Sequence, residues 1–203
     1  MKFKHILVII ILFIIFIFST IISYSNSVFA GLENNIFRLH ILANSNSEKD
    51  QALKLKVRDG LLDYMKEINN NSSKKTETIQ NTKNHINEIK AKCLEILEEN
   101  GSNYDVHLEI GNFYFPTKHY GNISLPAGNY DALRIIIGEG KGQNWWCSLF
   151  PPLCFIDISS GYLSDDDSKI LEDNLTEEEF MIISNSAPDI KLKFKILELL
   201  NNK

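Results

Sequence analysis

An unbroken apolar run of 13 residues, Ile6 to Phe18, lies near the start of this 203-residue chain, and it cannot form the surface of a domain folded in water. Lys2, Lys4 and His5 precede it. Ser19 and Thr20 interrupt it before Ile21 and Ile22, and a polar patch runs from Ser23 to Ser27. Val28 and Ala30 then offer the small-residue spacing that a signal peptidase reads. A run of this length suits the core of a signal peptide. Counted on to Ile22 it reaches about 17 residues, enough for a short uncleaved span. Cleaved export is the expectation and an N-terminal anchor the alternative. Basic residues lie only before the run, which puts everything after it outside the cytoplasm. Residues 1–30 are therefore signal peptide or membrane anchor, and residues 31–203 an exported domain.

The exported part is acidic. Removing residues 1–30 takes away two lysines and no carboxylate, so the formal charge falls from −5 to −7. That disfavours nucleic acid as a partner and leaves membrane contact to the N-terminal segment. With 44% hydrophobic and 23% charged residues the composition is that of a globular protein, and the length suits one domain with its own core. Three cysteines in an oxidising compartment allow one intramolecular bridge and leave one thiol over.

Periodicity outlines the elements. In Ile36–Ala43, Phe37, Leu39 and Ile41 alternate with Arg38, His40 and Leu42, which predicts a strand with one apolar face. Asn44 to Ser47 break it. Ser47 with Asp50 approximates a capping box for a helix carrying Leu53, Val57, Leu61, Met65 and Ile68 on one face, along which Asp50 and Lys54 are spaced to pair. After a polar loop at 69–75, a second helix is expected from about Thr76 to Asn100, closed by Gly101. Tyr104, Val106, Leu108 and Ile110 mark another half-buried strand, extended through Phe113 and Phe115 and stopped by Pro116. Tyr130–Ile137, with Arg134 its only charge after Asp131, reads as a central strand. Beyond Phe155, the acidic residues at 164–167 suggest a turn, Leu171–Ile183 is partly helical, and a last helix follows Pro188. The fold class is α+β: a single domain in which a small, mostly antiparallel sheet packs with two to four helices.

Three constellations invite chemistry. Gly138, Gly140 and Gly142 follow a strand but lack both the third-glycine offset of a dinucleotide loop and a P-loop lysine–serine pair; a glycine-rich turn is the better reading, and no cofactor is implied. Arg38, His40, Asn44, Ser45, Asp50 and Arg58 gather around the first strand and helix, where capping and ion pairing compete with a hydrolase site. His40 with His107 or His119 has no metal-ligand spacing, so no metal is expected. Trp145, Trp146, Phe150, Pro151, Pro152 and Phe155 form a dense aromatic–proline segment, read as rings bracing a loop or as exposed anchors for a protein partner. Cys147 and Cys154 flank two prolines and are candidates for a disulfide, with two separate buried thiols or a catalytic cysteine as alternatives. Cys93 falls on a helix core face and reads as an inert thiol.

The pieces R-L-H-I-L-A-N-S from Arg38, D-Q-A-L-K from Asp50, V-R-D from Val57, P-A-G-N-Y-D-A-L-R from Pro126, I-G-E-G-K-G-Q-N-W-W-C and F-P-P-L-C-F together resemble the stage II sporulation protein R family of endospore-forming bacteria. The likeness covers Phe37 to about Phe155 and, more loosely, the final helix. The Asn-rich loop at 69–75 and the acidic region after Gly161 look individual to this chain. The resemblance implies a non-catalytic intercellular signal, made in the forespore and exported into the space between the two septal membranes. There it would activate a membrane-embedded aspartic protease that removes the pro-sequence of sigma-E in the mother cell. It supplies no catalytic residue. The expected contact surface is the aromatic segment (Trp145, Trp146, Phe150, Pro151) and then the polar cluster of Arg38, His40, Asn44, Asp50 and Arg58. The competing expectation is an exported peptidoglycan hydrolase with Cys147 or His40 in its chemistry.

Overall fold

Six residues, Phe37–Leu42, form β1, and the rest of the domain is laid against it. The structure, a computed structural model, describes residues 2–120, 123–154 and 165–184. Phe37, Leu39 and Ile41 face one core as the alternation predicts. The opposite face is not solvent, however: Arg38 is 0% exposed and His40 6%. β1 is central rather than half-buried because strands flank it on both sides and packed layers lie above and below.

β1 runs parallel to β5 (Gly128–Ile137) and antiparallel to β6 (Asn144–Phe150), and β2 (Val106–Phe115) pairs antiparallel with β5. The order β2-β5-β1-β6 thus keeps one parallel pair at its centre and antiparallel pairs at its edges. A small second sheet, β3 (Lys118–Tyr120) with β4 (Ile123–Leu125), is a feature the residue pattern does not reveal, since each strand is only three residues long. Of the aromatic–proline segment, Trp145, Trp146 and Phe150 lie on strand β6, Pro151 and Pro152 in the turn after it, and Phe155 outside the described residues.

One face of the sheet is covered by α2 (Glu48–Ile68), α3 (Lys75–Asn84) and α4 (Ile86–Glu99). Ser47 caps α2, its Oγ accepting from Asp50 N at 3.1 Å, and Leu53, Val57, Leu61 and Met65 bury the i, i+4 stripe. The single long helix expected from Thr76 to Asn100 is two helices. They break at His85 (φ −104°, ψ 20°), whose Nδ1 donates to Asn81 O and whose ring meets Tyr64 edge-on. α4 ends in a Schellman motif: Gly101 takes φ +70°, Gly101 N donates to Glu98 O and Ser102 N to Leu97 O, both at 2.9 Å.

The other face carries a second core of Leu32, Ile36, Phe115, Tyr120, Ile123, Leu125, Tyr130, Leu153, Leu171 and Ile183. It is assembled from the β3–β4 hairpin, α5 (Asp165–Asn174), α6 (Glu177–Ser184) and the end of α1 (Lys2–Asn35). Helix α1 therefore continues past Ala30 into the domain, beyond the boundary read from sequence. Where the acidic stretch is expected to turn, helix α5 begins at Asp165. The helix predicted after Pro188 lies outside the described residues.

The β5–β6 connection, with Gly138 and Gly140 at positive φ, crosses the end of β1 and folds onto the loop that follows it. Lys141 N donates to Asn44 O (3.1 Å), Gly142 N to Ala43 O (2.9 Å) and Gln143 N to Asn46 Oδ1 (2.8 Å). A Cβ on Gly142 would lie 2.2 Å from Ser45 O, so only glycine permits this approach. Gly142→Ala is expected to lower stability by about 2 kcal/mol through separation of the two loops. Equilibrium denaturation checks it, and a wild-type midpoint would show that the contact is dispensable.

Candidate functional site

The residues singled out from sequence fall into three places. Asn44, Ser45 and Asp50 form a capping network at the far end of β1. Asp50 Oδ2 accepts from Ser45 Oγ (2.6 Å) and Asn44 Nδ2 (2.9 Å), and these bonds, Ser45's first, hold its carboxyl below the usual range. Asn44 Oδ1 accepts from Glu139 N at 2.9 Å. Asp50 and Lys54 do not pair: Lys54 Nζ donates instead to Gln51 Oε1 (2.7 Å) and Gln143 O (2.9 Å), because the carbonyl of the β5–β6 connection lies within its reach. The network fastens the two loops together.

Arg58 belongs to the helical face. Its guanidinium lies 4.3 Å from the Trp145 ring centroid, within cation–π range, and pairs with Asp59 at 2.6 Å. Trp145 packs against the first core.

Arg38, His40 and Trp146 meet on the other face, since residues 38 and 40 of β1 and 146 of β6 share a side of the sheet. The His40 and Trp146 rings stack with centroids 3.7 Å apart, and His40 Nε2 donates to Asn144 Oδ1 at 2.9 Å. Phe115 meets Trp146 edge-on at 4.8 Å. Arg38 Nε donates to Cys147 O (3.0 Å) and Nη2 to Tyr120 Oη (2.9 Å), while its guanidinium sits 4.5 Å from the Phe115 ring and 5.1 Å from Tyr130. Nη1 is buried and makes no hydrogen bond.

Towards the open half of this face stand two further cations. Lys118 Nζ is 6.0 Å from the Trp146 ring, and Arg134 lies 5.2 Å from the Phe113 ring, facing Glu109 across the ladder at 3.6 Å. Arg134, Ile136 and Trp146 are half-buried, so the patch combines positive charge with aromatic surface on an acidic domain. Arg134 was the one signal available in the sequence, as a charge inside an otherwise apolar strand. Lys118 arrives through the β3–β4 hairpin and is invisible to strand periodicity.

Burial drives the His40 pKa down to about 4, against which the Asn144 bond acts and with which the Arg134 charge acts. The ring is neutral at physiological pH and its Nε2 proton is engaged. Cys147 is joined to Cys154 and carries no thiolate, and the free Cys93 thiol is pushed up to about 12 by burial. Phe150 is 7% exposed and Pro151 is buried, so among the described residues of the aromatic–proline segment the two tryptophans and Pro152 retain accessible surface. Among the described residues no group of three or more metal-ligating side chains occurs.

A family model for stage II sporulation protein R matches residues 33–160, a stretch that includes every residue of the three clusters. The chain belongs to the stage II sporulation protein R family. It is 42% identical over 134 residues to stage II sporulation protein R of Bacillus subtilis (strain 168), an alignment covering 64% of this chain and 58% of that relative. The chain thus matches less than two thirds of the relative's length. No solved structure matches it. The family match begins at Glu33, in the last turn of α1, and takes in the whole central sheet.

Two measurements test the site. His40, depressed in the fold from 6.5 to about 4, leaves stability intact above pH 6.5 and withdraws it as the pH falls towards 4, by roughly 3 kcal/mol. Unfolding midpoints taken across that window should slope for the native protein and flatten in His40→Gln. The Cys147–Cys154 bridge closes a separation of seven residues, worth about 2–3 kcal/mol in loop entropy. Either single serine variant should lose that amount and the double variant little more, because both remove one constraint. Additive losses would contradict a shared bridge.

Proposed function

We propose that this protein is the exported intercellular signal of sporulation, which leaves the forespore and activates the membrane-embedded aspartic protease that processes pro-sigma-E in the mother cell. Membership of the stage II sporulation protein R family is the observation that carries the reading. An activator of this kind acts by binding the active state of the protease more tightly than the inactive one. The surface best fitted to do so is the patch of Trp146, His40, Lys118 and Arg134, where a tryptophan held by stacking is flanked by cations. A rigid ring with charge at its rim is the composition of interface hot spots, and its charge suits an acidic segment of the protease outside the membrane. Trp145 with Arg58 forms a second such pair on the opposite face.

The alternative of a peptidoglycan hydrolase placed Cys147 or His40 in the chemistry. A bridged Cys147 is no nucleophile, and a neutral, stacked His40 with pKa about 4 is a weak base near pH 7. Both observations favour the binding reading.

Trp146→Ala is expected to weaken binding by about 2 kcal/mol, lowering pro-sigma-E cleavage in sporulating cells, and overproduction of the variant should partly restore cleavage by mass action. Circular dichroism and a thermal melt establish that the variant is folded. Normal cleavage by a folded Trp146→Ala,Lys118→Glu double variant would remove the patch from the interface. A folded His40→Gln protein inactive at every level of expression would instead point to catalysis.

A further inference from the structure

The sequence allows two fates for the N-terminal segment, and the structure distinguishes them. α1 is one uninterrupted helix from Lys2 to Asn35, and it runs straight through Val28, Phe29 and Ala30. No glycine or proline precedes Gly31, so nothing breaks the helix between the apolar run and the cleavage signal. A peptidase, by contrast, must take its substrate backbone in an extended form.

The end of the same helix is built into the domain. Leu32 and Ile36 are fully buried in the second core, Phe29 packs against it, and Val28 is 8% exposed. Asn35 Nδ2 donates to both carboxylate oxygens of Glu179 at 3.1 Å. Glu179 also closes a capping box on α6: its Oε2 accepts from Thr176 N (2.9 Å), and Thr176 Oγ1 accepts from Glu179 N (3.2 Å). Glu33 Oε1 accepts from Asn129 N at 2.8 Å, and Lys75 Nζ donates to Glu33 O at 3.1 Å. At Gly31 an added Cβ would lie 2.1 Å from Glu179 Oε1, so the absent side chain is what lets the helix approach this carboxylate.

Upstream, Phe3–Ile22 is exposed along its whole length, within a helix whose most apolar window has a mean hydropathy of 3.2. At 1.5 Å per residue that stretch is about 30 Å long, the thickness of a bilayer's hydrocarbon core. Ser23–Ser27 supplies a short polar collar at the height of the lipid headgroups.

We infer that α1 is retained: Phe3–Ile22 stays in the bilayer, and Val28–Ile36 fixes the domain to that span as a rigid stalk. Cleavage after Ala30 would remove Phe29 from the second core as well as the anchor. With no flexible linker between span and sheet, the domain is held against one membrane in one orientation. The inference does not depend on the activator reading.

The test uses the full chain with a C-terminal tag in a sporulating host. Intact mass gives the N-terminus, and an alkaline carbonate wash gives the membrane-held fraction. A start before Ile6, retention in the washed pellet and no change on signal-peptidase inhibition are expected. A start downstream of Ile22, or full-length chain released by the wash, overturns the inference. Ser25→Pro breaks the helix ahead of Val28 and is expected to raise the cleaved fraction at least ten-fold; a native chain already cut as fully as this variant overturns it too. Neither readout uses pro-sigma-E, so failure here is distinct from failure of the proposed activity.

Discussion

A fully buried guanidinium sets the terms for one half of this domain. A guanidinium is a fixed cation, and one taken out of water without compensation costs several kcal/mol. Among the described residues no carboxylate meets Arg38. Its compensation is instead distributed over the faces of Phe115 and Tyr130, the carbonyl of Cys147 and the hydroxyl of Tyr120. Those four partners come from β2, β5, β6 and β3. A single side chain on the central strand thereby orders two neighbouring strands, the small hairpin above them and the aromatic floor on which Trp146 rests.

The opposite face works by a different principle. There α2, α3 and α4 lay apolar stripes over Phe37, Leu39, Ile41, Leu133, Ile135 and Val106, and stability comes from area removed from water. The sheet separates the two cores. A change at Cys93 or Ile89 is thus felt in the helices, while a change at Arg38 or Tyr120 is felt in the hairpin and the patch.

Function, on the reading proposed above, uses the seam between these regimes. β6 is constrained because β1 pairs with it, the loop bridge from Cys147 to Cys154 closes its end, and the glycine-rich connection before it is tied to the loop after β1. Its two tryptophans stand on opposite faces, each beside a cation. A binding surface made this way is already ordered before a partner arrives, which reduces the entropy that association would cost. A retained helix α1, as inferred above, adds the same economy at larger scale by fixing where the domain sits.

How much of this the sequence revealed follows from the range of each interaction. Local signals held: the cap at Ser47, the Gly101 stop, the alternation in β1 and β2, the apolar strand β5 and the apolar run of α1. The short hairpin, the break at His85 and the strand character of Asn144–Phe150 were hidden, because three-residue strands carry no period and aromatic rings suit loops and strands alike. The candidate residues were chosen by proximity along the chain, and folding separated Arg58 and Asn44 from Arg38 while bringing Lys118 and Arg134 to Trp146. Family membership and the presence of an N-terminal apolar helix were legible in sequence alone, since they rest on motifs and a hydrophobic run. Which face each charge occupies, whether His40 is a base or a stacking partner, and whether α1 ends at a cleavage site or inside a core were decided only by tertiary structure. Those are properties of burial, and burial depends on residues distant in the chain.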